Sequence, residues 1–490
     1  NLKEYTKALN YYQQSLVILK QTGNKLNESI TLSNIGILYS ALGKYSHAEK
    51  TLFSVIELLE FLRNSELTDD QKISLFDTQA NTYRFLQETL IAQNKITTAL
   101  EISERSKARA LVELLSSKFN SNKQPNIEPP NLEQIKQIAR QQKATFVEYS
   151  VISKSQLYIW VIKPTGEVVF KQVDLQSLDT PLEKLVTDSR VSIGAGGRGA
   201  IGVKPKSSVN QIQNLQKLHE LLIKPIVSHL PTNPDEQVIF VPHESLFLVP
   251  FPALMDSKKK YLIEKHTIMS APAIQVLELT KKNNARKLNL TSLKPRDLLI
   301  VGNPTMPFVG FPPTQLSSLQ GAQREAKDIA NFFRTKALTG NKATKSTVLQ
   351  KISDAKVIHL ATHGLLDGKD FGKRTPGAVA LAPDTLSKDK SSNINEGLLK
   401  TTEIIDLKLN ADLVVLSACD TGRGKITGDG VIGLSRSLIT AGASSVIVSL
   451  WKIPDNSTSK LMTEFYRQWE KTGDKAKALR QAMLITMKTN

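Results

Sequence analysis

The sequence predicts two structural parts, a helical N-terminal part and a larger C-terminal part in which strands alternate with helices. Residues 1–118 place apolar side chains at helical spacing and contain few Gly or Pro residues. Beyond about residue 230, helical stretches separate the short apolar runs QVIFVP, DLLIVGNP, KVIHLATHG, DLVVLSACDTG and SSVIVSLW. Such runs are typical of a parallel sheet covered on both faces. We therefore expect a helical domain followed by an α/β domain with a mainly parallel sheet.

The helical part contains an internal repeat. The segments EYTKALNYYQQSL and KYSHAEKTLFSVI align with Ala8 and Ala48 in register, and a third, looser copy places Ala99 at the same position. Small residues at Gly36 and Ala48 would let two successive helices approach closely. A repeat of about 40 residues indicates stacked helical hairpins, and the pattern resembles the tetratricopeptide repeat. A plain helical bundle is the alternative.

A polar segment with three prolines, SSKFNSNKQPNIEPPN, indicates a linker between the two parts. We expect a helical domain over 1–118, a linker over 119–131 and an α/β domain over 132–490. The latter begins with TFVEYSVISKSQLYIWVIKPTGEVVFKQVDL, where alternating apolar and polar residues around turn signals predict a set of hairpins.

The net charge of +18 belongs to the C-terminal part. Residues 1–118 carry 14 of the 64 Lys and Arg residues and 13 of the 46 Asp and Glu residues, and are thus nearly neutral. Basic stretches such as Lys258 to Lys260 lack interleaved aromatic residues, so we interpret them as a solvated surface. Nucleic-acid binding through this basic face is the alternative.

The sequence predicts a cytoplasmic location without membrane contact. No apolar run reaches the roughly 20 residues that a bilayer requires, and the N-terminus is polar, unlike a signal peptide. One cysteine in 490 residues cannot form an internal disulfide, as expected in a reducing compartment. Because the chain starts without Met, we expect it to be a fragment.

Two predicted strands deliver reactive side chains to their C-terminal ends. His363 and Gly364 follow KVIHLAT, and Cys419 follows DLVVLSA. Functional groups gather at the carboxyl ends of parallel strands, so the imidazole could take the thiol proton while the thiolate attacks a carbonyl carbon. The N–H groups of Gly364 and Cys419 could then bind the carbonyl oxygen. An inert buried cysteine and a structural histidine are the alternatives.

We expect no metal and no other cofactor. His359 and His363 are four residues apart, which on a strand separates them by roughly 13 Å. The strings GAGGRG and GDGVIG have dinucleotide-type glycine spacing, but neither directly follows a clear strand.

Several segments together resemble a known family. VIHLATHG, NEGLLKTTEIIDLKLNADLVVLSACDTG, GDGVIGLSRSLITAGASSVIVSLWKIPDNSTSKLMTEFY and VPHESLFLVPFPALM are similar to the CHAT domain, a caspase-like peptidase domain related to separase. In bacteria this domain is often joined to tetratricopeptide repeats. The resemblance covers about 140–490 and implies a caspase-hemoglobinase-like α/β fold. It also implies a catalytic dyad of His363 and Cys419, with Gly364 as the oxyanion-hole glycine.

The resemblance also suggests a specificity pocket. SLWKIPD is similar to the separase segment whose acidic residue faces a basic P1 side chain, which implies Asp455 in the S1 pocket. Asp420 and Asp429 are further candidates, and a helix N-cap is the alternative role for Asp455. The family usually adds an aromatic-rich strand after the last helix, whereas this chain ends in LITMKTN. We therefore expect either a truncated C-terminus or an incomplete sheet edge.

The function that follows is that of a cysteine endopeptidase that cleaves a protein substrate. The repeats would recruit that substrate or bind a regulatory protein partner. The alternative is a catalytically silent scaffold that mediates protein–protein interactions.

Overall fold

The structure is a computed structural model that describes residues 4–63, 69–119, 128–193, 208–282, 288–310, 312–365, 377–384, 394–418, 425–427, 430–450 and 455–489. For residues 63, 69–79, 119, 208–209, 281–282, 425–427, 430–432 and 455–456 it describes the backbone only. No helix within these ranges is both long and apolar enough to cross a membrane.

The N-terminal region is helical, as predicted. Its helices are α1 (Tyr5–Gln21), α2 (Lys25–Ala41), α3 (Tyr45–Arg63), α4 (Asp69–Ala92), α5 (Ile96–Arg105), α6 (Arg109–Phe119) and α7 (Leu132–Gln142). A Cβ atom at Gly36 would lie 2.6 Å from the side chain of Leu52, so α2 and α3 pack closely at this glycine. Ala48 and Ala99 are fully buried. The predicted role of the small residues in the hairpins is confirmed.

The next part of the chain forms a mixed five-stranded sheet, in the order β3–β2–β1–β4–β5. Its elements are β1 (Ala144–Ser153), β2 (Gln156–Ile162), β3 (Val168–Asp174), α8 (Leu182–Ser192), α9 (Ser208–Leu222), β4 (Gln237–Val241), α10 (Leu262–Lys265), β5 (Thr267–Ser270) and α11 (Ile274–Lys282). Strands β1 to β3 form the predicted antiparallel hairpins. Strand β4, the run QVIFVP, pairs in parallel with β1, so it does not join the later apolar strands.

The helical repeats pack directly on one face of this first sheet. Leu86 of α4, Leu100 of α5 and Trp160 of β2 belong to one hydrophobic cluster, and all three are fully buried. Helices α8 and α9 cover the opposite face, where Val186 of α8, Leu218 of α9 and Tyr149 of β1 belong to a second buried hydrophobic cluster. Burial of both faces explains why β1 and β2 contain more apolar residues than a half-exposed meander requires.

The C-terminal part forms a second five-stranded sheet, in which all strands are parallel, in the order β17–β14–β10–β6–β9. The elements are β6 (Leu298–Pro304), β7 (Phe308–Val309), β8 (Thr314–Gln315), α12 (Gln320–Phe332), β9 (Leu338–Gly340), α13 (Lys345–Ile352), β10 (Val357–Ala361), β11 (Gly364–Leu365), β12 (Ala378–Ala380), β13 (Leu398–Lys400), α14 (Thr401–Ile405), β14 (Leu413–Ser417), β15 (Lys425–Thr427), β16 (Gly430–Ile432), α15 (Leu434–Ala441), β17 (Val446–Val448), α16 (Asp455–Thr472) and α17 (Lys475–Thr489).

Helices cover both faces of the second sheet. Along β14, Val414 and Leu416 pack with α13 and α15 on one face, while Leu413 and Val415 pack with α12, α16 and α17 on the other. The expected α/β architecture is confirmed, and β14 is an internal strand between β10 and β17. The sequence pattern alone did not reveal that the apolar runs are divided between two sheets.

Candidate active site

The C-terminal ends of β10 and β14 lie side by side at one edge of the second sheet. The two strands pair in parallel, with Ala361 opposite Ser417. His363 is the second residue after Ala361, and Cys419 is the second residue after Ser417 in the sequence. Cys419 itself lies outside the described residues. The structure therefore describes the histidine and both strands that lead to the proposed pair.

The predicted S1 residues are described less fully. Asp420 and Asp429 lie outside the described residues. Asp455 is the first residue of α16, and only its backbone is described. Their roles remain predictions.

The ring of His363 is oriented by a main-chain carbonyl group. Its Nε2 atom lies 2.8 Å from the carbonyl oxygen of Ser317. Because a carbonyl oxygen only accepts hydrogen bonds, Nε2 must carry the proton and donate it. In the neutral ring, Nδ1 is then the atom that can accept a proton. This tautomer suits a general base that acts through Nδ1.

The main chain at His363 is held by the neighbouring strand β12. The carbonyl oxygen of His363 accepts a hydrogen bond from the Ala380 N–H at 2.9 Å. The hydroxyl of the preceding residue, Thr362, donates to the Ala380 carbonyl oxygen at 2.8 Å and is buried. These two bonds fix the backbone on either side of the histidine.

Gly364 follows in β11 and lies opposite Val379 of β12. The Ala380 N–H to His363 carbonyl bond makes Gly364 and Val379 a non-hydrogen-bonded pair of the antiparallel ladder. In such a pair the N–H groups point away from the partner strand. The Gly364 N–H is therefore not used in pairing with β12, a condition that an oxyanion-hole donor must meet.

The segment that carries the Ser317 carbonyl is held by Asn303 at the end of β6. The Asn303 side-chain oxygen accepts from the Leu319 N–H at 2.7 Å, and its amide donates to the hydroxyl of Ser318 at 3.0 Å. Asn303 has a φ of 46°, in the left-handed region that Asn tolerates better than most residues. Sequence analysis missed this residue. Its one signal was a polar Asn at the end of the apolar run DLLIVGNP.

The end of β14 is tied to the end of β17. The Ser449 hydroxyl donates a hydrogen bond to the carbonyl oxygen of Ala418, which is buried and directly precedes Cys419. The main chain next to the candidate nucleophile is thus anchored to the neighbouring strand.

His359 has a structural environment that differs from that of His363. It is fully buried, its Nε2 lies 2.8 Å from a carboxylate oxygen of Glu325, and its Nδ1 lies 3.1 Å from the hydroxyl of Tyr466. Burial and the nearby Glu325 raise the pKa of Tyr466 well above its usual value, so its hydroxyl keeps its proton. Within the described ranges, no group of three or more His, Cys, Asp or Glu residues could hold a metal ion.

Comparison with known families agrees with this architecture. Residues 213–490 match the CHAT domain, and residues 1–60 match a tetratricopeptide repeat family. The chain belongs to the CHAT domain family.

The chain is also similar to individual proteins. It is 23% identical to human tetratricopeptide repeat protein 28 over 94% of this chain and 24% of that protein. The mouse protein of the same name is 24% identical over 91% of this chain and 23% of its own length. The chain thus spans about a quarter of the length of these curated relatives.

Two crystal structures of the Saccharomyces cerevisiae separase–securin complex, at 2.6 and 3.0 Å resolution, contain a chain similar to this one. In both structures the similar chain is 12% identical to this one, and the match covers 89% of this chain and 37% of that chain, with TM-scores of 0.45 and 0.46.

Proposed function

We propose that the chain is a cysteine endopeptidase of the caspase-like type, with Cys419 as nucleophile and His363 as general base. The observation that carries the proposal is the register of β10 and β14. Both strands end at the same edge, and both candidate residues follow their strands by the same number of residues. Membership in the CHAT domain family supports the same assignment.

The proposed reaction begins when Nδ1 of His363 accepts the proton of the Cys419 thiol. The thiolate then bonds to the carbonyl carbon of the scissile peptide, and the N–H groups of Gly364 and Cys419 stabilise the resulting oxyanion. The imidazolium gives its proton to the leaving amine as the C–N bond breaks. Water, deprotonated by the same imidazole, finally hydrolyses the thioester and releases the thiol.

The hydrogen bond between His363 and Ser317 supports this chemistry. It holds the ring in the tautomer that leaves Nδ1 free to take a proton, and it also stabilises the imidazolium through its Nε2–H donor. A main-chain carbonyl oxygen is not protonated at neutral pH, so it orients the ring and stabilises the imidazolium without taking the proton.

The proposed substrate is a protein with a basic residue at P1. Asp455 is our first candidate for the acidic group of the S1 pocket, with Asp420 and Asp429 as further candidates. A carboxylate in a partly desolvated pocket pairs favourably with an Arg or Lys side chain. Asp455 is the first residue of α16, so the competing role lies at the helix N-terminus, where a carboxylate interacts favourably with the helix dipole.

We propose that residues 1–118 recruit the substrate or a regulatory protein, and that the peptidase domain extends over 132–490 after a linker at 119–131. Strand β1 pairs with β4, which supports including residues before 213 in the same folded unit. The hydrophobic cluster shared by α4, α5 and β2 supports the inference that the repeats and the first sheet pack as one unit.

The experiment that tests the dyad uses a peptide with an electrophilic group that alkylates an active-site thiol. Because Cys419 is the one cysteine in the chain, labelling is specific for it, and Cys419→Ala serves as the blank. We expect His363→Ala to slow labelling by about 100-fold, the lower range for loss of a general base. Equal labelling of both proteins would favour the catalytically silent scaffold.

A further inference from the structure

Arg190 is a buried arginine that connects the first sheet to the candidate active-site edge of the second. It lies in the last turn of α8, which packs on the first sheet, and its exposed fraction is 4%. Arginine is rarely buried without partners for its charge and its N–H groups. The partners of Arg190 therefore indicate why an arginine is placed here.

Two of those partners are main-chain carbonyl oxygens from distant segments. Nη2 of Arg190 donates to the carbonyl oxygen of Leu450 at 2.6 Å, and Nη1 donates to that of Leu248 at 3.2 Å. Leu248 ends a 3-10 turn over Glu244–Leu248 that follows β4, whereas Leu450 follows β17. A planar guanidinium with several fixed N–H groups can hold two carbonyls at a defined separation.

Leu450 occupies a position that matters for the proposed site. The adjacent Ser449 donates to the carbonyl oxygen of Ala418, the residue directly before Cys419. Leu450 is also the second residue of SLWKIPD, the segment whose last residue is the S1 candidate Asp455. Arg190 thus bonds to a main-chain segment that is linked to the residue before the nucleophile and that continues to the proposed S1 residue.

We propose that Arg190 is a positioning residue for the dyad, which it supports from the first sheet by holding the Ser449–Leu450 main chain against the end of β14. The proposal rests on the function proposed above, since it assigns a role within the same site. Arg190 does not contact substrate in this scheme. It acts through Leu450, Ser449 and Ala418.

The chain offers a matched control for Arg190. Arg480 of α17 is also buried, and it donates to the carbonyl oxygens of Ile263 at 2.9 Å and Glu264 at 2.8 Å, again joining the two halves of the molecule. Arg480 also contacts Asp235 at 3.6 Å, and Asp235 precedes β4, whereas the Arg190 partner Leu248 follows β4. The two arginines therefore lie at opposite ends of β4. Loss of Arg480 should affect stability without altering the dyad.

The test measures the rate at which iodoacetamide alkylates the single thiol as a function of pH, in the full chain. A thiol paired with a histidine titrates below the usual cysteine pKa of about 8.5. We expect Arg190→Met to move the midpoint of the profile toward that value and to slow alkylation at pH 7 by about tenfold. Arg190→Lys, which keeps a charged donor, should recover part of the loss, and Arg480→Met should match the wild type.

The proposal on Arg190 is overturned if Arg190→Met has the wild-type midpoint, or if Arg480→Met shifts it equally. If Arg190→Met does not fold, the same comparison is made between Arg190→Lys and Arg480→Lys, and equal profiles overturn the proposal. His363→Ala separates the two levels of inference. An unchanged profile in His363→Ala contradicts the dyad itself, whereas a shift in His363→Ala without one in Arg190→Met contradicts only the role of Arg190.

Discussion

The orientation of His363 depends on main-chain groups of two other segments. Its ring donates to the Ser317 carbonyl oxygen, and its own carbonyl oxygen accepts from the Ala380 N–H. Neither bond uses the side chain of Ser317 or of Ala380. Two side chains support the arrangement: that of Asn303 bonds to the segment just after Ser317, and that of Thr362 bonds to the Ala380 carbonyl oxygen.

We expect Asn303→Gly to destabilise the protein by about 1 kcal/mol, the usual net contribution of a hydrogen bond, because its partners are only partly buried. Glycine keeps the left-handed backbone at this position but loses the bonds to Leu319 and Ser318. Urea unfolding measures the change. Asn94→Gly is the control, since Asn94 has a φ of 58° and is exposed, so its substitution should change stability by less than about 0.5 kcal/mol. Equal effects at both positions would contradict this role of Asn303.

At the scale of the elements, a buried polar network attaches β10 to its flanking helices. His359 joins it to Glu325 of α12 and to Tyr466 of α16. All three side chains are buried. The network fixes β10, whose end leads to His363, against two of the three helices that cover that face of the sheet.

We expect His359→Leu to lower the free energy of unfolding by about 1–3 kcal/mol, because it leaves the buried Glu325 carboxylate without this donor. Tyr466→Phe removes one of the two hydrogen bonds and should cost about 1 kcal/mol. Thermal or urea unfolding of both variants measures the difference. A larger loss for Tyr466→Phe than for His359→Leu would show that the histidine is not the centre of the network.

At the scale of the whole molecule, buried ionisable side chains lie where the helical repeats meet the first sheet. Lys107, just after α5, donates to a carboxylate oxygen of Glu148 in β1 at 2.7 Å. Glu104 of α5 accepts from the Gln275 N–H of α11 at 2.8 Å. Burial, with the nearby Glu148 charge as the second cause, raises the pKa of Glu104 to about 8. Between pH 4.5 and about 8, Glu104 therefore holds a proton in the folded protein that it would release in the unfolded chain.

This proton makes stability depend on pH. The pKa of Glu104 in the folded protein, about 8, exceeds its ordinary value of 4.5, so the folded state binds more protons between these values. Its contribution to stability is present below pH 4.5 and is lost as the pH rises to about 8. We expect Glu104→Gln, which keeps the acceptor for Gln275, to reduce the fall in unfolding free energy from pH 5 to 8.

Urea unfolding at the two pH values measures the effect of Glu104→Gln. Glu57→Gln, at an exposed position of α3, should keep the wild-type pH dependence. The same pH dependence in wild type and Glu104→Gln would contradict a proton held at Glu104.

The sequence allowed the helical hairpins, the first meander and the apolar strands of the second sheet to be predicted, because each leaves a local periodic pattern. The division of the strands between two sheets could not be predicted, since the run that forms β4 is as apolar as those that form β10 and β14. Pairing depends on contacts between distant segments, and periodicity does not report them.

The same limit applies to the site. His363 stands out in the sequence because it follows an apolar strand and precedes a glycine, and its catalytic role stays a prediction. Asn303, Ser317 and Arg190 do not stand out, because two of them act on main-chain atoms far away in sequence and Ser317 contributes only its carbonyl oxygen. A lone arginine in the last turn of a helix ordinarily indicates a solvated end that interacts with the helix dipole.

The most direct test of peptidase activity is to compare new N-termini in a cell extract incubated with the wild-type chain, with Cys419→Ala or with His363→Ala. We expect wild type to generate cleavage sites that are absent with both variants, most of them after Arg or Lys. The same N-termini with wild type and Cys419→Ala would contradict the proposal that this thiol cleaves peptide bonds.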